Sequence, residues 1–231
     1  MTGKPLAEMT YTKVAFEQEK IGIGVVPVPY AKQKHSPSAW KMSNAIESWS
    51  WHGCDGKETK VEVYARAHHV SLFVNGTCVG TKRMKNDCMA VFWTEYRDGT
   101  VKAVAYDEEN HILAEKELKT AGSKTQLTVK PEMDIVCRKN ELCYVRMQYT
   151  DDNGIVKPLK RGSINVKVEG GKLLGLGSAC PFYERSYLSN VTDTYYGEAM
   201  AIIKPGTAEE IRIFAESRHG KGSAAVKVVD R

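Results

Sequence analysis

No run of apolar residues in this 231-residue chain approaches the ~18 needed to span a bilayer, so a transmembrane helix is not expected. The opening stretch, MTGKPLAEMTYTK, lacks a long apolar segment and does not read as a secretory signal. Charge of one sign is not in large excess. The 33 basic and 28 acidic residues leave a net charge of +5, too small and too scattered to suggest nucleic acid as a partner. The densest basic run, Lys82-Arg83-Met84-Lys85, reads as a solvated turn.

The signatures of familiar chemistry are missing as well. None of the six cysteines forms a CxxC pair, and no Cys/His group has zinc-ligand spacing, so neither metal nor cofactor is expected. Disulfides are unnecessary at this size, and free thiols favour a reducing setting; nothing else in the chain points to a compartment. The run Gly175-Leu176-Gly177-Ser178 lacks the spacing of a nucleophile elbow and the third glycine of a dinucleotide fingerprint. It reads as a strand-end turn with close backbone approach. His68 and His69 are adjacent; in a strand they would point to opposite faces and could not readily share a metal. Asp151 to Gly154 resembles part of a calcium loop but lacks the later bidentate glutamate, so a hairpin turn is expected there. Glycoside hydrolysis needs two carboxyl groups flanking one bond. No acidic pair is marked out, and Asn140-Glu141 reads as an ordinary turn-to-strand step.

What is present is a β pattern. Turn residues recur at short intervals, with β-branched and aromatic runs between them, and no apolar helical period extends beyond about ten residues. Val61 and Val63 alternate with polar neighbours, as do Val70, Leu72 and Val74. Asn75-Gly76 then supplies the dipeptide that a type I′ hairpin turn demands. Ile164, Val166 and Val168 repeat the alternation later. The expected fold is all-β: two immunoglobulin-like β-sandwich domains in tandem, with an extended N-terminal connector. The connector spans 1–46, the first sandwich 47–122 and the second 123–231, with the small, polar Ala121-Gly122-Ser123-Lys124 at the junction.

One concentration of residues is a candidate site. Trp40, Trp49 and Trp51 fall within twelve residues, and His52 adjoins them. Aromatic rings stack on the apolar faces of sugars, so these four are candidate carbohydrate contacts. The competing expectation is that the rings pack the connector onto the first sandwich.

At this cluster the chain resembles a known family. Ser36-Pro37-Ser38-Ala39-Trp40 followed by Glu47-Ser48-Trp49-Ser50-Trp51-His52-Gly53 is similar to the stretch after the catalytic barrel of glycoside hydrolase family 2 β-galactosidases. Lys60 to Tyr64, Val70 to Gly76 and Val101 to Asp107 resemble the strands that follow it. Val145 to Gly154, Val168 to Gly177 and Gly197 to Ile203 resemble the family's final immunoglobulin-like domain. The resemblance implies a bacterial, non-catalytic accessory portion of a glycosidase. It would support a catalytic barrel in cis while the barrel's two glutamates hydrolyse the O-glycosyl bond. Nothing here matches the barrel motifs, so no catalytic residue carries over. A glycan is the other partner the reading allows. The alternative is a stand-alone carbohydrate-binding or adhesive immunoglobulin-like module.

Overall fold

In the computed structural model the structure describes residues 6–33, 43–85, 87–182 and 185–230. The chain divides between Thr120 and Ala121 into two compact units.

Among its described residues the first unit contains one α-helix, α1 (Ala7–Ala15), a single 3-10 turn at Val28–Tyr30 and seven strands. These are β1 (Ile21–Val25), β2 (Glu58–Ala65), β3 (His69–Val74), β4 (Thr77–Arg83), β5 (Met89–Glu95), β6 (Thr100–Tyr106) and β7 (Ile112–Lys119). They form two antiparallel sheets, ordered β1-β2-β5 and β4-β3-β6-β7. Val61, Val63 and Phe92 of one sheet and Val70, Leu72, Val101 and Ala103 of the other are buried, as alternation requires of a sandwich core. Asn75 and Gly76 both have positive φ, 48° and 79°, the combination a type I′ turn needs between β3 and β4.

The extended connector expected for residues 1–46 is replaced, over its described part, by structure within this unit. Ala7, Thr10 and Val14 lie on one face of α1 at helical spacing and are buried. β1 pairs along its whole length with β2, from Ile21 opposite Ala65 to Val25 opposite Val61. The helix can lie close because β1 carries glycine where it would otherwise present side chains. A Cβ at Gly22 would sit 2.2 Å from Thr10 Cγ2. At Gly24 it would meet the Ala45 Cβ and Tyr64 hydroxyl at 2.9 Å and the Ala7 Cβ at 3.0 Å. The apolar positions of α1 are few, and the alternate glycines of Ile21-Gly22-Ile23-Gly24-Val25 mask a strand. Neither element announces itself by periodicity. The covered face of β2 holds Tyr64 and Glu62, both buried, with the Tyr64 hydroxyl donating to Glu62 Oε2 at 2.5 Å and the Lys60 ammonium 2.8 Å from Oε1. Gly24→Ala is expected to cost about 1–3 kcal/mol by overpacking. Urea unfolding checks this, since an unchanged midpoint would mean that α1 is not seated on β1.

The second unit, over its described residues, is a sandwich of β8 (Gln126–Pro131), β9 (Ile135–Cys137), β10 (Cys143–Thr150), β11 (Ile164–Glu169), β12 (Gly171–Gly177), β13 (Val191–Thr192), β14 (Glu198–Pro205), β15 (Glu210–Ser217) and β16 (Gly220–Val229). One sheet runs β12-β14-β10-β8 and the other β13-β11-β15-β16-β9; among these pairings β9 joins β16 in parallel. One continuous core unites the sheets, including Val145, Met147 and Tyr149 from β10, Ile164 and Val166 from β11, Ile203 from β14 and Ile211 and Ile213 from β15. The strand-end turn expected at Gly175-Leu176-Gly177 is instead the last part of β12, with a bulge between Leu173 and Gly175. The close approach is real: the Tyr187 ring lies where a Cβ on Gly177 would be, 2.4 Å away.

The lead-in to this unit is held by two buried ionisable residues. Asp151 Oδ1 accepts from the Asn153 and Ile155 amides at 2.9 and 2.8 Å, which shapes the turn at 151–154. Asp151 Oδ2 accepts from the Gly122 amide at 2.8 Å. The Lys157 ammonium donates to the carbonyls of Ser123 and Lys124 and to Thr125 Oγ1.

Candidate functional site

The tryptophan segment enters the first unit as an irregular stretch before β2 and is anchored by hydrogen bonds from both indoles and at the backbone of Trp49 and Trp51. Trp49 and Trp51 are both fully buried. Trp49 Nε1 donates to the Arg97 carbonyl at 2.9 Å, and Trp51 Nε1 to the Ser48 carbonyl at 3.2 Å. Tyr96, equally buried, ties the two together. Its ring centroid lies 4.9 Å from that of Trp49, tilted by 55°. Its hydroxyl accepts from the Trp51 amide at 3.0 Å and donates to Asp98 Oδ1 at 2.6 Å. Burial and then the bond to Asp98 push the Tyr96 phenol well above its ordinary pKa, so it stays a neutral donor. Thr120, at the end of the unit, donates to the Trp49 carbonyl at 2.8 Å and accepts from the Gly99 amide at 3.0 Å.

A fully buried ring offers no face to a sugar. Burial of Trp49 and Trp51 is what the packing expectation requires, and in this conformation neither ring is open to carbohydrate. The physical reason is area: each indole can bury roughly 150–250 Å² of surface, and its N–H finds a carbonyl inside. His52 differs. Its side chain is 41% exposed, with Nδ1 3.9 Å from Asp98 Oδ2. Trp40 lies outside the described residues.

One further histidine expectation changes. His68 precedes β3 rather than lying in it, so strand alternation does not separate it from His69. The two Nδ1 atoms are 3.1 Å apart, and the His69 ring stacks on Tyr106 at 4.9 Å. In the turn between β6 and β7, Asp107, Glu109 and His111 bring one potential ligand atom each to within 4.8 Å of one another. His111 Nδ1 is 3.0 Å from Asp107 Oδ2, and the His111 amide also donates to Asp107. Glu109 and His111 are exposed, and the geometry is that of an Asp-capped turn.

Comparison with known proteins places both units. Residues 127–226 match the family described as glycoside hydrolase family 2 C-terminal domain 5, and residues 56–114 match a domain of unknown function, DUF4982. The β-galactosidase BoGH2A of Bacteroides ovatus is 31% identical over 169 residues, covering 70% of this chain and 20% of that protein. A solved glycosyl hydrolase family 2 member from Bacteroides cellulosilyticus superposes with a TM-score of 0.85 at 20% identity, over 99% of this chain and 31% of its own. A β-glycosidase from Bacteroides vulgatus does so with a TM-score of 0.76 at 16% identity, over 98% and 27%. These structures share the fold, and the chain spans less than a third of their length and a fifth of the curated relative. No helix among the described residues is long and apolar enough to cross a membrane. Through residues 127–226 the chain carries a C-terminal domain of glycoside hydrolase family 2.

Proposed function

We propose that this chain is the C-terminal buttress of a β-galactosidase-type hydrolase whose chemistry is performed by a barrel in cis. The observation that carries the reading is the 31% identity to BoGH2A across 70% of the chain, joined to the family match of the second unit. In such an enzyme two glutamates of the barrel, roughly 5–5.5 Å apart, would cleave the glycoside by double displacement. The sandwiches would contribute stability and one rim of the active site. His52 is the described candidate contact whose side chain is exposed, and contact with a saccharide from that rim is assigned to it. Function resides in sites rather than folds, so the division of labour is open to direct assay. The 231-residue chain alone is expected to give no turnover of an aryl β-galactoside. The protein carrying both barrel and sandwiches is expected to turn it over, and to lose thermal stability when the sandwiches are removed. Turnover by the purified chain alone would overturn the reading.

A further inference from the structure

At one end of the second unit, loops far apart in sequence enclose a groove of about 710 Å³, within the range of small-ligand sites. Arg161 precedes β11, Arg185 lies between β12 and β13, and Asp193 and Tyr195 lie between β13 and β14. Arg218 sits in the turn between β15 and β16. Among the described residues the lining thus carries three arginines and one carboxylate, Asp193. That carboxylate is already engaged: Oδ1 accepts from the Ser163 hydroxyl at 3.1 Å, and Oδ2 lies 4.0 Å from Arg185 Nη2. Neither Arg161 nor Arg218 is matched by a carboxylate among the described residues.

The walls are held in place by their own hydrogen bonds. Arg218 Nη2 donates to the Arg161 carbonyl at 3.1 Å, and its Nε donates to His219 Nε2 at the same distance. The Tyr149 hydroxyl, rooted in the core, donates to the Gly162 carbonyl at 3.2 Å, and Thr194 Oγ1 donates to the Lys160 carbonyl at 3.0 Å. Tyr195 supplies an aromatic wall, its ring packed 4.5 Å from that of Tyr196. The positive field registers on a neighbour: burial first, then the charges of Lys160 and Arg218, hold the His219 imidazole below its ordinary pKa.

A planar guanidinium fork matches a carboxylate or sulfate bidentately, and an aromatic ring takes the apolar face of a pyranose. We propose that this groove binds an acidic saccharide, its carboxylate or sulfate held by Arg161 and Arg218 and a sugar face resting on Tyr195. The site is independent of the buttress assignment, since it asks nothing of a barrel.

The test is calorimetric titration of the 231-residue chain with three tetrasaccharides: one bearing uronates, one bearing sulfates and one uncharged. At least one acidic sugar is expected to bind, with the uncharged one at least tenfold weaker; the two acidic arms identify the anion. Arg161→Gln combined with Arg218→Gln is expected to weaken binding at least tenfold and Tyr195→Ala at least threefold. Lys172→Gln, an exposed change on β12, should leave it unaltered. On the unaltered chain, raising NaCl should weaken binding, which gives the same reading without a substitution. The proposal is overturned by no binding of either acidic sugar at millimolar concentration, or by equal binding of the uncharged one. Affinity indifferent to salt, or a double variant with a native circular dichroism spectrum that binds as well as the unaltered chain, overturns it too.

Discussion

Trp51→Ala is expected to destabilise the first unit by about 3–5 kcal/mol, the cost of emptying a large aromatic site in a core that collapses only partly. Trp51 is fully buried, its indole N–H is spent on the Ser48 carbonyl, and its amide donates to Tyr96. Trp49→Ala should cost a similar amount and in addition remove the ring against which Tyr96 packs. The two losses should not simply add, because the Trp49 ring packs on Tyr96 and the Trp51 amide donates to the hydroxyl of the same tyrosine. Hydrogen exchange resolved by peptide is the check. Amides of β2, β3 and β6 should lose protection, while those of β10 and β14 should retain theirs. Native protection throughout the first unit in either variant would mean that the segment is dispensable to the core. A saccharide contact at these indoles would then regain its standing.

The second large effect is expected at Asp151. Asp151→Ala leaves the amides of Gly122, Asn153 and Ile155 without their acceptor and should cost about 3 kcal/mol, the scale of a buried network bonded to a charge. Burial by itself would raise this carboxyl's pKa. The amides of Gly122, Ile155 and Asn153 act the other way and outweigh it, so the folded value lies below the ordinary carboxylate value. A group depressed on folding stabilises fully above its unfolded pKa and loses that contribution as pH falls through the folded one. The second unit should therefore hold its Asp151-dependent stability down to about pH 5 and shed it under more acidic conditions. Asp151→Asn should lower stability at neutral pH and flatten that acid limb. Urea midpoints at pH 7 and pH 3 measure both, and parallel pH profiles for the two proteins would remove Asp151 from the account.

Strand content was legible in the sequence because alternation is a local property. Val61 and Val63, or Ile164 and Val166, read correctly from their immediate neighbours, and Asn75-Gly76 could hardly be anything but a tight hairpin turn. The family resemblance was legible for the same reason, carried by short runs of residues. α1 and β1 were not legible. The helix buries only a narrow stripe, and the strand reveals itself only when the glycines of β1 are seen to admit that stripe.

Residue types at one spacing likewise suggested a sugar surface at Trp49 and Trp51. Whether a ring faces inward depends on what lies opposite, and Tyr96, Arg97 and Thr120 arrive from up to 71 residues away. The arginine groove lay further beyond reach. Lys157-Pro158-Leu159-Lys160-Arg161 is a local basic signal, but Arg185 and Arg218 join it only through strand order. By itself the sequence determined an all-β chain, its hairpins and its kinship, because each rests on near neighbours along the chain. Only the tertiary structure decided which aromatics are core and which cations share a groove, because burial and electrostatic field are set by residues distant in sequence.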